Sequence, residues 1–235
     1  MGRVKSGARR GRVIGRRPLS PGVTELRIQV AGPPLAYRAG QHVVLTLSEA
    51  PGVAHHYSIA APQSGKEPRV LELAIGNASG ADVLAGAPVG AELGVEGPLD
   101  GFGFRAAPGA ILVGAGTGVV PLRALVRAAL ADGAAPRLAL LAGSRTRADI
   151  LWREELDALA REHPHFLYEP VLSQPDGSWT GRTGYVQDHL GEVVRRLPVA
   201  IEAYVCGSPP MVESCRAALF ALGIPAERIQ SEAYA

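Results

Sequence analysis

Thiols are scarce in this sequence: Cys206 and Cys215 are the two cysteines among 235 residues. Two are too few for a disulfide framework, and an iron–sulfur cluster needs about four thiolates. A reducing, cytoplasmic setting is therefore expected. Long apolar runs are lacking too. None approaches the roughly 20 residues that span a bilayer, and no apolar stretch follows the basic N-terminus, so neither a membrane span nor a secretory signal is expected. Aromatic residues make up 5% of the chain and the net charge is +2. With no aromatics interleaved among its basic residues to stack on bases, nucleic acid is not an expected partner. The one local imbalance is residues 1–17, which carry seven Lys or Arg and no acid. Such a segment reads first as a solvated, frayed tail and second as a surface for an acidic protein.

What is present is a hydrophobic fraction of 47% and many turn formers, 29 Gly and 19 Pro. The length suffices for one large or two small domains with real cores. Residues 11–104 read as β structure. Val23–Val30 alternates at period 2, and Val43–Leu47, His56–Ala60, Val70–Ile75 and Glu92–Glu96 are further short strands, the last ending at Gly97-Pro98. Pro21-Gly22, Gly32-Pro33-Pro34 and Pro51-Gly52 mark the joints of a small antiparallel β barrel. Only Asp82–Ala85 reads as a helical turn there. From about residue 106 the pattern changes. Strands at 110–113, 137–142, 166–172 and 203–206 alternate with helices at 120–131, 150–161, 184–196 and 210–222, which implies an α/β doubly wound parallel sheet. The expected domains are 1–106 and 107–235.

The second domain opens on Ala110-Ile111-Leu112-Val113, a strand apolar enough to be buried on both faces. Gly114, Gly116 and Gly118 follow, a turn in which no Cβ blocks the approach of another molecule. Pro121 suits the first helical turn, where its missing N–H costs nothing. Strand, glycine turn and helix N-terminus together suit an anion, and the pyrophosphate of a dinucleotide is the obvious one. The spacing is G-x-G-x-G-x-x-P and not the usual G-x-G-x-x-G, so that fingerprint is absent.

Seven segments then occur in a telling order: Tyr37 to Gln41; His55-His56-Tyr57-Ser58; Gly97 to Phe102; Gly114 to Pro121; Gly143-Ser144-Arg145; Cys206 to Met211; and Ser231-Glu232-Ala233-Tyr234. Over nearly its whole length the chain resembles the ferredoxin–NADP reductase superfamily of flavin-dependent NAD(P)H oxidoreductases. The resemblance implies a β-barrel flavin-binding domain, an α/β domain for the nicotinamide dinucleotide, and the cofactors FAD (or FMN) and NADP or NAD. It further implies that Tyr57 and Ser58, with Ile59 beside them, lie against the isoalloxazine, Ser58 near its N5. Cys206 contacts the nicotinamide, with Gly207 and Met211 in the same segment, and Glu232 and Tyr234 close over both rings. Gly114, Gly116, Thr117, Gly118 and Pro121 cradle the pyrophosphate. Catalytic roles thus fall to Ser58, Cys206, Glu232 and Tyr234. The bland alternatives are a surface Tyr-Ser, an inert buried cysteine and a frayed C-terminus.

Some positions depart from the family pattern. The family pairs the flavin phosphate with an Arg where this chain has His55, and a neutral imidazole offers one donor in place of a charged fork. A Ser or Thr facing the pyrophosphate is replaced by Ala81, with Ser79 and the Gly80 backbone as substitutes. Tyr234 is followed by Ala235, so it is not the last residue as in plant-type members. A metal site at His55-His56 is not expected, because neighbours on a strand point to opposite faces. Ser144 and Arg145 stand where an acid would bind a ribose diol; Arg145 either pairs with a 2′-phosphate, favouring NADP, or is a solvated arginine. The expected activity is hydride transfer from NAD(P)H to flavin and onward transfer to a separate, unidentified acceptor, for which an acidic redox protein is a candidate. The alternatives are a flavin-poor, non-catalytic nucleotide-binding subunit, and a flavin reductase that uses free flavin as substrate.

Overall fold

The computed structural model describes residues 8–47, 54–63, 65–76, 82–131 and 136–234. The described residues form two six-stranded sheets. The first is antiparallel and is built from β1 (Arg9–Ser20), β2 (Val23–Val30), β3 (His42–Leu47), β4 (Ala54–Ser58), β5 (Val70–Gly76) and β6 (Glu92–Leu99), with the short helix α1 (Asp82–Ala85). Its order is β4-β3-β6-β1-β2-β5, and an Ile59–Leu73 bridge brings the two edges together into a barrel. Val13, Ile28, Leu45, Leu73 and Val95 fill its interior.

The second sheet is parallel and ordered β10-β9-β8-β7-β11-β12. It comprises β7 (Gly109–Ala115), β8 (Arg137–Ser144), β9 (Phe166–Leu172), β10 (Arg182–Thr183), β11 (Ile201–Gly207) and β12 (Ile229–Ala233). Helices α2 (Val119–Ala131), α3 (Arg153–Glu162), α4 (Leu190–Val194) and α5 (Pro209–Ala221) cover it. The run of apolar residues in β7 is explained by burial on both faces. Ala110 and Leu112 pack with Leu122 and Leu125 of α2, while Ile111 and Val113 pack with Val212 and Leu219 of α5. Each such buried Leu or Val contributes about 1.5–3 kcal/mol.

The differences from the sequence reading have physical causes. Of the basic segment 1–17, residues 1–7 lie outside the described residues, and 9–17 are no frayed tail. They belong to β1, which pairs with both β2 and β6 while Val13 fills the barrel. The C-terminal segment is likewise ordered, because β12 pairs in parallel with β11. The strand at 92–96 continues to Leu99 through a cis Gly97-Pro98 bond. The helix expected at 150–161 starts only at Arg153, after Trp152 adopts a left-handed conformation with φ 49°. The one expected at 184–196 is a 3₁₀ turn (Val186–His189) running into the five-residue α4. In β2 the inside–outside alternation breaks at Glu25, which is buried beside Leu26. Glu25 faces out of the barrel, and Trp152, just before α3, covers it.

Candidate active site

Strand order reverses at β7, with β8 to one side and β11 to the other, and ligands bind at such a switch point beyond the carboxyl ends of the strands. The register there is specific. Cys206 on β11 lies opposite Gly114 on β7 and opposite Glu232 on β12. The Tyr234 N–H donates to the Gly207 carbonyl at 3.0 Å, and its hydroxyl shares a short hydrogen bond with Ser58 Oγ of the barrel. The chain thus brings Ser58, Cys206, Glu232 and Tyr234 to one place.

The linker between the sheets secures this arrangement. Phe104 stacks on the Tyr204 ring at 5.5 Å and Phe102 meets it edge-on at 5.9 Å. The Arg105 N–H donates to the Tyr204 hydroxyl at 2.8 Å, while the Phe102 N–H donates to Gly40 O in the barrel at 3.1 Å. A Cβ at Gly101 would stand 3.2 Å from the Glu232 carboxylate.

Burial dominates the electrostatics. It pushes the Cys206 thiol up to about 12, so the group is a neutral thiol near pH 7 and no thiolate nucleophile. Burial also raises Glu232, although the Phe102 backbone and the Tyr234 hydroxyl pull the other way. Tyr234 is raised as well, by burial first and by Cys206 second.

In the glycine turn, the three glycines have different jobs. Gly116, at φ +55°, has nothing within 4 Å of where its Cβ would be, so there the expected room for a ligand exists. At the other two the chain itself fills the space. A Cβ on Gly114 would meet Leu122 Cδ1 at 2.8 Å, and one on Gly118 would strike the Cys206 carbonyl. Gly118 is therefore needed for β11 to pass the turn. Thr117 lies against Gly76 at the end of β5, and Pro121 is buried in the first turn of α2.

Beside Gly116 a cavity of about 350 Å³ runs past Gly143, Ser144, Arg145 and Met211. The Gln174 N–H donates to the Arg145 carbonyl at 2.8 Å, which fixes that loop. Gly207 is closed off by the Met211 sulfur, 2.8 Å from where a Cβ would be. Sequence reasoning missed Tyr185, which lines the same cavity and is 63% exposed. Its signal was an aromatic residue directly after Gly184, which has φ +91°.

On the barrel side, His55 and Tyr57 share one side of β4, ring centroids 6.3 Å apart. Both the His55 Nε2 and the Tyr57 hydroxyl are buried without a hydrogen-bond partner among the described residues. Burial pushes the Tyr57 hydroxyl up to about 12. Ile59 is fully buried at the barrel seam. His56 turns to the other side, as strand geometry requires, and its Nδ1 lies 3.1 Å from His42 Nε2. Ser79, Gly80 and Ala81 lie outside the described residues. No group of three metal-ligating side chains occurs among the described residues. Among them, too, no helix is long and apolar enough to cross a membrane.

Comparison with known proteins agrees with this geometry. The family described as "Oxidoreductase NAD-binding domain" matches residues 112–217. The chain is 40% identical to ferredoxin–NADP reductase B of Sorangium cellulosum over 95% of its own length and 96% of that protein's. It is 31% identical to NADH-cytochrome b5 reductase 1 of Pyricularia oryzae, covering 92% and 76% of the two chains. Among solved structures, an Amycolatopsis cytochrome P450 reductase superposes with a TM-score of 0.84 at 30% identity, over 99% of this chain and 72% of that one.

Proposed function

The chain belongs to the ferredoxin–NADP reductase superfamily of flavin-dependent NAD(P)H oxidoreductases, and from that premise we propose which residues bind, orient and screen the reactants. Enzymes of this kind, this chain included, pass reducing equivalents from NAD(P)H through a flavin to a separate acceptor. The flavin-binding half is residues 1–106 and the nucleotide-binding half 107–235.

The residues present fit a flavin. The unpartnered Tyr57 hydroxyl and His55 Nε2 are buried polar atoms of the kind a ligand's oxygens would satisfy. When bound, FAD supplies the hydride acceptor and the outlet for electrons. The chain's own residues do the rest. Ser58 offers a hydroxyl at the barrel edge, and Tyr234 covers it and excludes water. Glu232, held above its ordinary range by burial, retains a proton beside Tyr234 more readily than a solvated acid would. Cys206 presents a neutral thiol to the nicotinamide. Gly116 and the N-terminus of α2 receive the pyrophosphate, while Ser144, Arg145 and Tyr185 hold the adenosine end. Arg145 would take a 2′-phosphate there, which favours NADPH over NADH.

The observation that carries this reading is the meeting of Ser58 with Tyr234, 176 residues apart, beside a Cys206 flanked by Gly114 and Glu232. We also infer that the acceptor is an acidic redox protein drawn to the arginines of β1, where Arg10, Arg12 and Arg69 outnumber the single acid, Glu92, around a cavity of about 450 Å³.

His55 favours a second reading, a reductase that takes free flavin as substrate, since an imidazole holds a flavin phosphate less firmly than a guanidinium. The visible spectrum of the purified protein, recorded anaerobically before and after NADPH or NADH, decides between these. A bound flavin that bleaches supports the first reading and ranks the nucleotides. Turnover only with added flavin supports the second. A protein that stays colourless and inactive with FAD and FMN supplied refutes both.

A further inference from the structure

Away from the ligand cavity, the two halves of the chain meet through a group of charges gathered around one buried arginine. Arg123 of α2 is 2% exposed. Its guanidinium forks onto Glu155 of α3, with Nε to Oε1 at 2.9 Å and Nη2 to Oε2 at 2.6 Å. Its Nη1 donates to the Ala60 carbonyl of the barrel at 2.8 Å and lies 3.5 Å from Glu72 of β5. The same guanidinium stands 4.4 Å over the Trp152 ring. Trp152 Nε1 in turn donates to Glu25 of β2 at 2.9 Å, and Arg17 of β1 pairs with that carboxylate. Arg127 lies 3.7 Å from both Glu72 and Glu155. Three arginines thus meet three carboxylates across the interface.

An ion network built on a buried arginine is weak evidence for stability, because desolvation offsets much of the attraction. Geometry is what it specifies here. Ala60 lies two residues beyond Ser58, and Arg123 lies five beyond Gly118. One guanidinium therefore ties the strand that presents the Ser58 hydroxyl to the helix that carries the glycine turn. Its seat, Trp152, is the one non-glycine residue with positive φ among the described residues. Such backbone costs on the order of 1–3 kcal/mol and persists only where its surroundings over-determine it.

We propose that Arg123, seated on Trp152, is a positioning residue that sets the distance between the nucleotide turn and the Ser58 edge of the barrel, and so between hydride donor and acceptor. The proposal rests on the oxidoreductase reading above. Misplacement by about 1 Å costs roughly 100-fold in rate while binding contacts at either end survive.

The test is anaerobic stopped-flow reduction of the flavin-loaded protein by NADPH. In Arg123→Met we expect flavin reduction to slow by about 10- to 100-fold. The nicotinamide–flavin charge-transfer absorbance should be lost, with flavin content kept and the nucleotide Kd within about threefold of wild type. Arg123→Lys, which keeps a cation for the Ala60 carbonyl but cannot fork onto Glu155, should recover part of both signals. A folded, flavin-loaded Arg123→Met reduced at the wild-type rate overturns the proposal. So does a loss that tracks flavin content or nucleotide Kd alone. Should Arg123→Met not fold, Trp152→Phe, which keeps a ring under the guanidinium but drops the Glu25 bond, is judged by the same readouts. If wild type itself is not reduced by either nucleotide, the oxidoreductase reading falls and takes this proposal with it.

Discussion

Alanine substitution of two glycines in one turn separates ligand room from chain packing. At Gly118 a methyl group would come 2.6 Å from the Cys206 carbonyl carbon, 2.9 Å from Gly207 N, and closer still to the carbonyl oxygen. Ordinary contact begins at 3.4 Å, so the turn and β11 must part by more than an ångström. Both obstacles are backbone, and no rotamer change relieves them. Overpacking of this kind typically costs about 1–3 kcal/mol, and for a chain of this length each kcal/mol lowers Tm by about 2–4 °C. Gly118→Ala should therefore lose roughly 2–12 °C and most of its NAD(P)H-dependent flavin reduction, because Cys206 moves with β11. Gly116→Ala has free space, so its folding cost is confined to the left-handed backbone, about 1–2 kcal/mol. Its methyl would project toward the cavity, where an intrusion worth about 1–3 kcal/mol weakens nucleotide binding by roughly 5- to 150-fold. Differential scanning fluorimetry and NAD(P)H titration of both variants separate the two roles. A Gly118→Ala protein with wild-type Tm and rate refutes the packing argument. A Gly116→Ala protein with unchanged nucleotide affinity refutes the placement of the pyrophosphate.

Three further outcomes are expected. Burial raises Glu232 above its ordinary 4.5, so the folded protein binds the proton more tightly than the unfolded chain. The stability tied to that proton is present below about pH 4.5 and is lost as pH rises through the raised value. Glu232→Gln should therefore raise Tm relative to wild type more at pH 8 than at pH 4, and an equal difference at both contradicts the burial argument. His55→Arg should tighten FAD by about tenfold, since a charged hydrogen bond is worth roughly 1.5–3 kcal/mol against about 0.5–1.5 for the neutral one it replaces; ultrafiltration showing equal FAD retention would count against a phosphate at His55. The double charge reversal Arg10→Glu, Arg12→Glu should slow reduction of an acidic carrier at low salt and lose that effect at high salt. A salt-independent rate in both proteins would remove the acidic partner from consideration.

Much of the architecture is local and therefore legible in the sequence. Period-2 alternation marked β2, short apolar runs marked β3 and β5, and the change to alternating strands and helices marked the parallel sheet. The glycine turn was legible as a ligand site because a strand, three glycines and a helix are contiguous. Three strands were not legible, one of them the two-residue β10. β1 carries arginines where an interior strand would carry apolar residues, with Val13 its one fully buried aliphatic. β12 reads IQSEA, with Ile229 alone buried, and is a strand because β11 pairs with it. Trp152, which looked like a residue of α3, is the pivot before it.

Local sequence sets which residue types are available for the chemistry and in what order, because turns and periodicity depend on neighbours a few positions away. Tertiary structure alone decided their juxtaposition. Nothing local places Ser58 beside Tyr234, sets Cys206 between Gly114 and Glu232, or carries Arg123 to Ala60. Those contacts depend on sheet register and on how the barrel packs against the α/β half, and the energies that set both are distributed over the whole chain. The same reason explains Gly114 and Gly118. Their sequence context marked them as small, but only the course of β11 and α2 past them shows that the chain itself fills the space.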